Sequence, residues 1–189
     1  MSVLDFICRP IEFRRNLARN RKRLYRIAYS WTRNPALADD LVQDTMIKAL
    51  RHQGQLREAE AQDAWLFTIL ANSYRDHFRR QRDMEDIDDL DLPDDSTPES
   101  EHANNQLRRK VRAAIGRLPE GQRQVITLVD LEGFSYVEVA QILSIPSGTV
   151  MSRLCRGRQA LRELLLPEFG HPETGKSMER GKAVVRRIK

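Results

Sequence analysis

The fold is decided by the stretch from Leu118 to Leu165, LPEGQRQVITLVDLEGFSYVEVAQILSIPSGTVMSRLCRGRQALRELL. Within it, Ser135 and Glu138 have the spacing of a capping box, in which the serine hydroxyl accepts a first-turn amide and the glutamate accepts the serine amide. A helix is therefore predicted to begin at about Ser135. It should stop at Ile145-Pro146, because proline lacks an amide proton and pushes the preceding residue out of helical geometry.

A second helix is predicted to follow at once, with Ser147 as its N-cap. Its apolar residues Val150, Leu154 and Leu161 lie four and seven positions apart, which places them on one buried face. The opposite face presents hydrogen-bond donors on the first two turns, namely Thr149, Ser152, Arg153 and Arg156. Two helices joined by so short a turn form a helix-turn-helix.

The donor-bearing face of this second helix suits the major groove of DNA. Arginine can bind both acceptors of a guanine edge there, and serine or threonine can bond to a base or a phosphate. Arg158 and Arg162, further along the helix, are expected to contact phosphate. The alternative is a helical hairpin with a solvated basic face, because helix pairs with this turn also occur in unrelated helical proteins.

Two further helices are predicted immediately upstream, where they would support the helix-turn-helix. The first has an apolar face made of Leu107, Val111, Ala114, Ile115 and Leu118. The second follows Pro119 and ends at Gly133, a residue suited to a left-handed C-cap.

A run of acidic residues separates these helices from the N-terminal part of the chain. From Asp83 to Glu101 there are ten acidic residues, two prolines and no lysine or arginine, which predicts an extended, self-repelling linker. We therefore predict an all-α fold of two small domains, an N-terminal helical bundle at 1–82 and a C-terminal helix-turn-helix domain at 107–166, joined by an acidic linker at 83–106. A calcium loop is not expected, because its glycine and terminal glutamate are missing at the required offsets.

Three helices are predicted in the N-terminal domain. The first begins after Pro10 and buries a face made of Leu17, Leu24, Ala28 and Trp31. Asn34 should cap the second, which opens with Pro35 and ends at Gly54. Its outer face forms an acidic ridge, consisting of Asp39, Asp40, Gln43 and Asp44. This ridge is either simply solvated near a helix start or a docking face for a basic partner protein.

The third helix, for which Asp63 is the predicted cap, combines cationic side chains with aromatic rings in its second half. These residues are Asn72, Tyr74, Arg75, Phe78, Arg79, Arg80 and Arg82. Proteins bind single-stranded nucleic acid with such a combination, because bases stack on rings while cations bind the phosphates. The alternative is an exposed basic helix end, which the helix dipole favours.

The composition of the whole chain limits its class. Its 189 residues carry a formal net charge of +5 and a pI near 9.5, which suits a polyanionic partner. The sequence has no apolar run long enough for a membrane span and no signal peptide, so a cytoplasmic protein without membrane insertion is expected. Cys8 and Cys155 lie far apart and the histidines are scattered, so we expect reduced thiols and no metal site, with redox sensing by Cys155 as the alternative.

The segment at 167–189 is basic and is expected to be a disordered tail. Within it, GHPETGKS at 170–177 matches the nucleotide-binding P-loop pattern letter for letter. That motif works only between a buried strand and a helix, which together aim backbone amides at phosphate. Neither element is evident here, so nucleotide binding is not expected.

Five segments, in this order, resemble the extracytoplasmic-function group of bacterial sigma factors. They are ADDLVQDT (38–45), AWLFTILANSYRDHFRR (64–80), LPEGQRQVITL (118–128), FSYVEVAQIL (134–143) and IPSGTVMSRLCRGRQAL (145–161). The resemblance spans Leu17 to Leu165 and therefore both predicted domains. It implies a non-enzymatic subunit of RNA polymerase, without cofactor or small-molecule substrate. Such a subunit directs initiation at minus-thirty-five and minus-ten promoter elements under the control of an anti-sigma factor.

The resemblance also implies a role for each candidate surface. The acidic ridge corresponds to the face that binds the clamp coiled coil of the largest subunit of core RNA polymerase. The helix from Ser147 corresponds to the part that binds the minus-thirty-five element, with implied contacts from Thr149, Ser152, Arg153, Arg156 and Arg158. The loop at 57–62 and the third helix correspond to the part that captures a flipped base of the minus-ten element and holds the melted strand. The residues implied there are Arg57, Asn72, Tyr74, Arg75 and Arg79.

One residue departs from the pattern of the group. Many members have a basic residue where Met151 stands, so one phosphate or guanine contact is not expected, whereas an apolar contact to a thymine methyl is available. The sequence leaves two other functions open. The first is a sigma-like mimic that sequesters a regulator. The second is a stand-alone helix-turn-helix repressor, which would bind DNA tightly without polymerase.

Overall fold

A computed structural model of the chain describes residues 3–56, 61–84 and 102–169. Those residues contain no strand, which confirms the all-α prediction. The helices are α1 (Val3–Thr32), α2 (Pro35–Arg51), α3 (Gln62–Met84), α4 (His102–Gly116), α5 (Glu120–Ile126), α6 (Tyr136–Leu143) and α7 (Ser147–Phe169). Most of the predicted acidic linker, and the P-loop-like segment of the tail, lie outside the described residues.

Helix α1 is longer than predicted. It begins at Val3 and continues through Pro10, so the predicted start after Pro10 is wrong. A proline inside a helix removes one amide donor, but the turns on either side keep their own hydrogen bonds and the helix goes on.

Helix α2 begins as predicted and ends earlier. The side chain of Asn34 accepts a hydrogen bond from the amide of Leu37 at 3.1 Å, and Pro35 is the first helical residue, which confirms the predicted cap. The helix ends at Arg51, so the prediction that Gly54 ends it is wrong. The chain tightens instead into one 3-10 turn at Gln53–Gln55, and Gly54 is not among the residues with a positive φ.

Helix α3 begins at Gln62, so Asp63 lies in the first turn and is not the predicted N-cap. Its carboxylate accepts hydrogen bonds from Asn20 at 2.9 Å and from Arg23 at 2.6 Å instead. The side chain that was expected to cap α3 therefore fastens α3 to α1.

The C-terminal helices differ from the prediction mainly at their ends. Helix α4 already runs at His102, so residues that were assigned to the linker are helical. Helix α5 continues into a π-helical turn at Thr127–Leu131, which the sequence did not indicate. Gly133 has a φ of +79°, which confirms the left-handed cap. Helix α7 includes Ser147 as its first residue, so Ser147 is not the N-cap, and it continues to Phe169.

The apolar residues of both halves of the chain form one continuous core. In the N-terminal half, α1, α2 and α3 bury Trp31, Val42 and Phe67 between them. In the C-terminal half, α5, α6 and α7 bury Val125, Ile142 and other aliphatic residues. Helix α6 packs on α3, and α4 and α5 contact α1, so the two helical domains lie directly against each other.

Candidate nucleic-acid interface

Local hydrogen bonds fix the geometry of the helix-turn-helix. The hydroxyl of Ser135 accepts a hydrogen bond from the amide of Glu138 at 3.3 Å, and the Glu138 carboxylate accepts one from the amide of Ser135 at 2.8 Å. This pair confirms the predicted capping box. Ser144 then takes a left-handed conformation with a φ of 53°, which ends α6, and the carbonyl of Pro146 accepts the amide of Thr149 at the start of α7.

The inner face of α7 is packed as predicted. Val150 and Leu154 are buried, and Leu161 packs partly buried beside them. Gly157 lies so close to α5 that a Cβ atom added there would be 2.9 Å from Cγ1 of Ile126. Because the two helices approach this closely, the rotation of α7 about its own axis is fixed, and so is the set of residues on its outer face.

The outer face of α7 presents donors to solvent. Ser152 and Arg156 are exposed, whereas Thr149 is half-buried. The Ser152 hydroxyl donates to the carbonyl of Thr149 at 3.1 Å, and Nε of Arg156 donates to the carbonyl of Ser152 at 3.2 Å. These bonds stay within the helix, so the Ser152 and Arg156 side chains can exchange them for bonds to DNA without disturbing the core. Met151 is also exposed, with 56% of its surface accessible.

Arg153 does not extend fully outward, contrary to the expectation from spacing. It is half-buried, and its guanidinium lies over Gly121 at the start of α5. A Cβ atom at position 121 would be 2.9 Å from Cζ of Arg153, so the absence of a side chain there makes room for the guanidinium. Arg153 therefore lies at the edge of the outer face of α7.

Arg158 is exposed but has a partner within the protein. Its Nη2 and Nε atoms donate to the two carboxylate oxygens of Asp130 at 2.6 and 3.1 Å. The hydrogen bond to Asp130 is the main cause of a raised pKa for Arg158. A phosphate contact by Arg158 would have to share or replace this bidentate pair.

Helix α3 presents a second polar surface. Asn72, Arg75 and Arg79 are all exposed. Nη2 of Arg75 donates to the side-chain oxygen of Asn72 at 2.7 Å, and Nη2 of Arg79 donates to Asp76 at 3.0 Å. Arg57, the remaining cationic candidate for the melted strand, lies outside the described residues.

Tyr74 is on the same helix but is buried, with 3% of its surface exposed. Its ring packs edge-on against Trp31 at 5.4 Å between centroids and tilted against Phe78 at 4.6 Å. Burial, with a smaller contribution from the charge of Glu120 in the C-terminal domain, raises the pKa of Tyr74 to about 12. In this arrangement of the two domains Tyr74 is not accessible to a nucleic-acid base.

The acidic ridge on α2 is less negative than its composition suggests. Asp39 pairs with Arg21 at 3.1 Å, and Asp44 pairs with Lys48 at 2.7 Å. Burial would raise the pKa of Asp44, but its hydrogen bonds to Lys48 and Ser73 and the charge of Lys48 together lower that pKa. Asp40 and Gln43 are exposed, and they stand between the two neutralised carboxylates.

The described residues include neither a metal-binding cluster nor a membrane-spanning helix. Among residues 3–56, 61–84 and 102–169, no group of three or more histidine, cysteine or carboxylate side chains could hold a metal ion. Within the same ranges, no helix combines the length and apolar character that crossing a bilayer requires. Cys155 is an exposed free thiol.

No sequence pattern indicates the contacts between the domains. The indole nitrogen of Trp31 donates to the hydroxyl of Thr127 at 2.8 Å in a buried position, across 96 positions of the chain. The carboxylate of Glu132 is bonded by Arg23 and Arg26 of α1. Single polar residues at such separations have no periodicity, so no local pattern could have identified these pairs.

Comparison with protein families supports both domains. The family model described as sigma-70 region 2 matches residues 17–84, and the one described as sigma-70, region 4 matches residues 108–161. The ECF RNA polymerase sigma factor EcfG of Rhodopseudomonas palustris is 36% identical over 152 residues, which cover 78% of this chain and 83% of that protein. The ECF RNA polymerase sigma factor SigM of Mycobacterium tuberculosis is 34% identical over 164 residues, which cover 86% of this chain and 79% of that protein.

Solved structures show the same architecture. The sigma factor RpoE of Bartonella quintana, in complex with the anti-sigma factor NepR, has a TM-score of 0.72 and 32% identity, covering 82% of this chain and 96% of that one. CnrH in complex with the cytosolic domain of CnrY has a TM-score of 0.57 and 29% identity, covering 81% of this chain and 86% of the other.

Proposed function

The chain belongs to the extracytoplasmic-function group of RNA polymerase sigma factors, and from this premise we propose how its surfaces divide the work of promoter recognition. A sigma factor binds core RNA polymerase and promoter DNA and is not an enzyme, so its free energy of binding must come from non-covalent contacts. We assign duplex recognition to α7, single-strand recognition to α3 and polymerase docking to α2.

The single observation that carries this proposal is the exposed outer face of α7. Among the described residues, Ser152 and Arg156 form hydrogen bonds only within their own helix, and the main packing partners of α7 are α4, α5 and α6. A helix exposed in this way can enter a major groove, where Arg156 can bind a guanine edge. Met151 beside it offers an apolar contact to a thymine methyl. Thr149, Arg153 and Arg158 would contribute from the edges of this face.

Helix α3 would hold the melted strand of the minus-ten element. Asn72, Arg75 and Arg79 supply exposed donors for phosphates and base edges. Extruding a base from the duplex costs the free energy of unpairing it. Contacts between the extruded base and a protein pocket offset that cost. Arg57 remains part of this proposed surface. Tyr74, buried against Trp31 and Phe78, can join it only after a rearrangement that exposes its ring.

The acidic ridge of α2 would dock on the clamp coiled coil of the largest polymerase subunit. Because Asp39 and Asp44 already have cationic partners, Asp40 is the ridge residue with most of its hydrogen-bonding capacity available. Gln43 is exposed but donates its side-chain amide to Asp39 at 3.2 Å. Asp40 would therefore supply most of the charge that polymerase recognises.

We also propose that an anti-sigma factor controls the chain in the cytoplasm, where the polymerase works. The support is that RpoE and CnrH, both similar in fold over more than four-fifths of this chain, were solved in complex with such regulators. The similarity covers both sigma regions rather than the helix-turn-helix alone, which argues against the stand-alone repressor. A sigma-like mimic would share both regions, so crosslinking to promoter DNA in the holoenzyme is the test that distinguishes it.

Site-specific photocrosslinking in the assembled holoenzyme tests these assignments. A photoreactive residue at position 156 should crosslink to duplex DNA near minus thirty-five, and one at position 72 should crosslink to the unpaired strand near minus ten. Arg112, an exposed residue of α4, provides the control position. Crosslinks at 156 and 72 that are no more promoter-specific than those at 112 would remove both assignments.

A further inference from the structure

Arg158 differs from its neighbouring arginines on α7 because its charge is paired with a carboxylate from outside the helix. Its Nη2 and Nε atoms donate to the two carboxylate oxygens of Asp130 at 2.6 and 3.1 Å. Among the residues that the structure describes, Arg156 bonds only to Ser152 of its own helix, and Arg162 forms no ion pair. Asp130 therefore holds one particular cation of α7.

The pair of Asp130 and Arg158 is open to water. Asp130 belongs to the π-helical turn at Thr127–Leu131, 28 positions before Arg158. The side chain of Arg158 is 52% exposed and that of Asp130 is 32% exposed. Ion pairs this accessible contribute little to stability, because water screens the charges and both side chains lose conformational freedom. The pair can therefore be exchanged for a different anion without disturbing the fold.

Arg158 lies on a flank of the outer face of α7, beside the start of α6. It follows the exposed Met151 by seven positions, which is two helical turns, so the two residues share one side of the helix. The pKa of Arg158 is raised chiefly by the hydrogen bond to Asp130, with a smaller contribution from Tyr136 at the start of α6. When a helix enters a major groove, side chains on its flanks come close to the phosphates of the groove walls.

The carboxylate of Asp130 competes chemically with a DNA phosphate for the same guanidinium. Both anions offer two oxygens that accept the parallel N–H bonds of an arginine. Phosphate binding by Arg158 therefore requires that the bonds to Asp130 be broken or shared. Asp130 also neutralises the positive charge that attracts the DNA backbone to this flank of α7.

We propose that Asp130 attenuates promoter binding by occupying the guanidinium of Arg158 in place of a DNA phosphate. This inference rests on the proposed function of α7. The attenuation is the same for every base sequence, because Asp130 acts on a phosphate-binding cation and not on the residues that bind base edges. It keeps the general affinity of α7 for DNA low, so that the base contacts determine which sites are occupied.

The test measures binding of the assembled holoenzyme to promoter duplexes by fluorescence anisotropy at several salt concentrations. One duplex carries an intact minus-thirty-five element and the other an altered one. Asp130→Asn keeps the size of the side chain and removes its charge. We expect about fivefold tighter binding to both duplexes, the effect of releasing one exposed ion pair. The slope of log affinity against log salt should become steeper by about one, because one further phosphate is neutralised.

Glu163→Gln is the matched control, because it removes the same charge from the same domain without releasing an arginine. Glu163 is exposed on α7, and it accepts a hydrogen bond from the neutral amide of Gln159 at 3.2 Å. Its affinity and salt dependence should match those of the wild type.

Two further variants make the result decisive. Asp130→Ser removes both the charge and the reach of the side chain, so it should give the same gain even if the asparagine oxygen still binds Arg158. In the Arg158→Ala background, Asp130→Asn should have no effect. Unchanged or weaker binding by both Asp130 variants would overturn the proposal. A gain that persists without Arg158 would also overturn it, because that gain would come from direct repulsion between Asp130 and DNA.

The wild-type holoenzyme separates failure of this inference from failure of the proposed function. If it does not distinguish the intact element from the altered one, the assignment of duplex recognition to α7 is wrong. If it distinguishes them while the Asp130 variants gain no affinity, only the attenuation is wrong.

Discussion

Replacement of Arg156 by alanine should change promoter choice without changing the fold. Among the residues that the structure describes, the guanidinium bonds only to Ser152 of its own helix, at 3.2 Å to the carbonyl and 3.5 Å to the hydroxyl. Removing it leaves no buried group without a partner, so the free energy of unfolding should stay within about 0.5 kcal/mol of the wild-type value. Any larger loss of DNA binding can then be attributed to a lost contact between Arg156 and DNA.

The expected size of that effect follows from the geometry of an arginine on a guanine edge. Such a bidentate contact contributes roughly 1–3 kcal/mol of discrimination against the wrong base. This corresponds to about 5- to 150-fold in affinity, because 1.4 kcal/mol is a factor of ten. The loss should be confined to one base pair of the minus-thirty-five element. The salt dependence of binding should stay nearly unchanged, since no phosphate contact is removed.

Holoenzyme binding to a set of promoters, each altered at one upstream base pair, measures this specificity. Wild type and Arg156→Ala should differ at one position and agree at the others. A uniform loss on every sequence, with a shallower salt dependence, would mean that Arg156 binds phosphate and would refute the assignment. Arg153→Ala is the informative comparison. Its guanidinium also packs on Gly121, so a loss of fold stability should accompany any loss of specificity.

Three further outcomes are expected. Asp40→Ala combined with Asp44→Ala should weaken binding to core polymerase about tenfold in a titration while the circular dichroism stays the same, and unchanged affinity would remove the role of the acidic ridge. Ser135→Ala should lower the free energy of unfolding by about 1 kcal/mol in urea denaturation, because it deletes the N-cap of α6, and no measurable loss would contradict the capping geometry. Tyr74, with a pKa of about 12 against an ordinary 10.0, contributes stability that is complete below pH 10 and is lost as the pH rises through 12. An absorbance titration should show a late tyrosinate component that Tyr74→Phe abolishes, and a titration that is identical in the variant would contradict the burial of this ring.

The parts of the fold that the sequence predicted depend on neighbouring residues. The capping box of α6, the Asn34 cap of α2 and the buried stripe of α7 all arise within about three turns of one helix, so their spacing is visible in the sequence. The errors fall at helix ends. Helix α1 begins before Pro10 and α2 ends before Gly54, because the hydrogen bonds of the neighbouring turns also determine where a helix begins and ends.

The candidate site was predicted less completely, for a physical reason. Spacing shows which residues share a helix face, but it cannot show what packs on that face from elsewhere in the chain. Tyr74 is buried against Trp31, which lies on another helix more than forty positions earlier, and Arg153 lies over a glycine of another helix. The pairing of Glu132 with Arg23 and Arg26 spans more than a hundred positions. Such contacts depend on how helices that are distant in the sequence pack together, which no local pattern encodes.

Run-off transcription tests the central claim most directly. Purified core RNA polymerase is mixed with the full chain on a library of genomic promoter fragments, and the starts are mapped by sequencing the transcripts. The predicted result is a defined set of starts that require the chain and disappear when the minus-thirty-five or minus-ten element is altered. A chain that binds core polymerase yet produces no starts above those of core alone would contradict its role as a sigma factor.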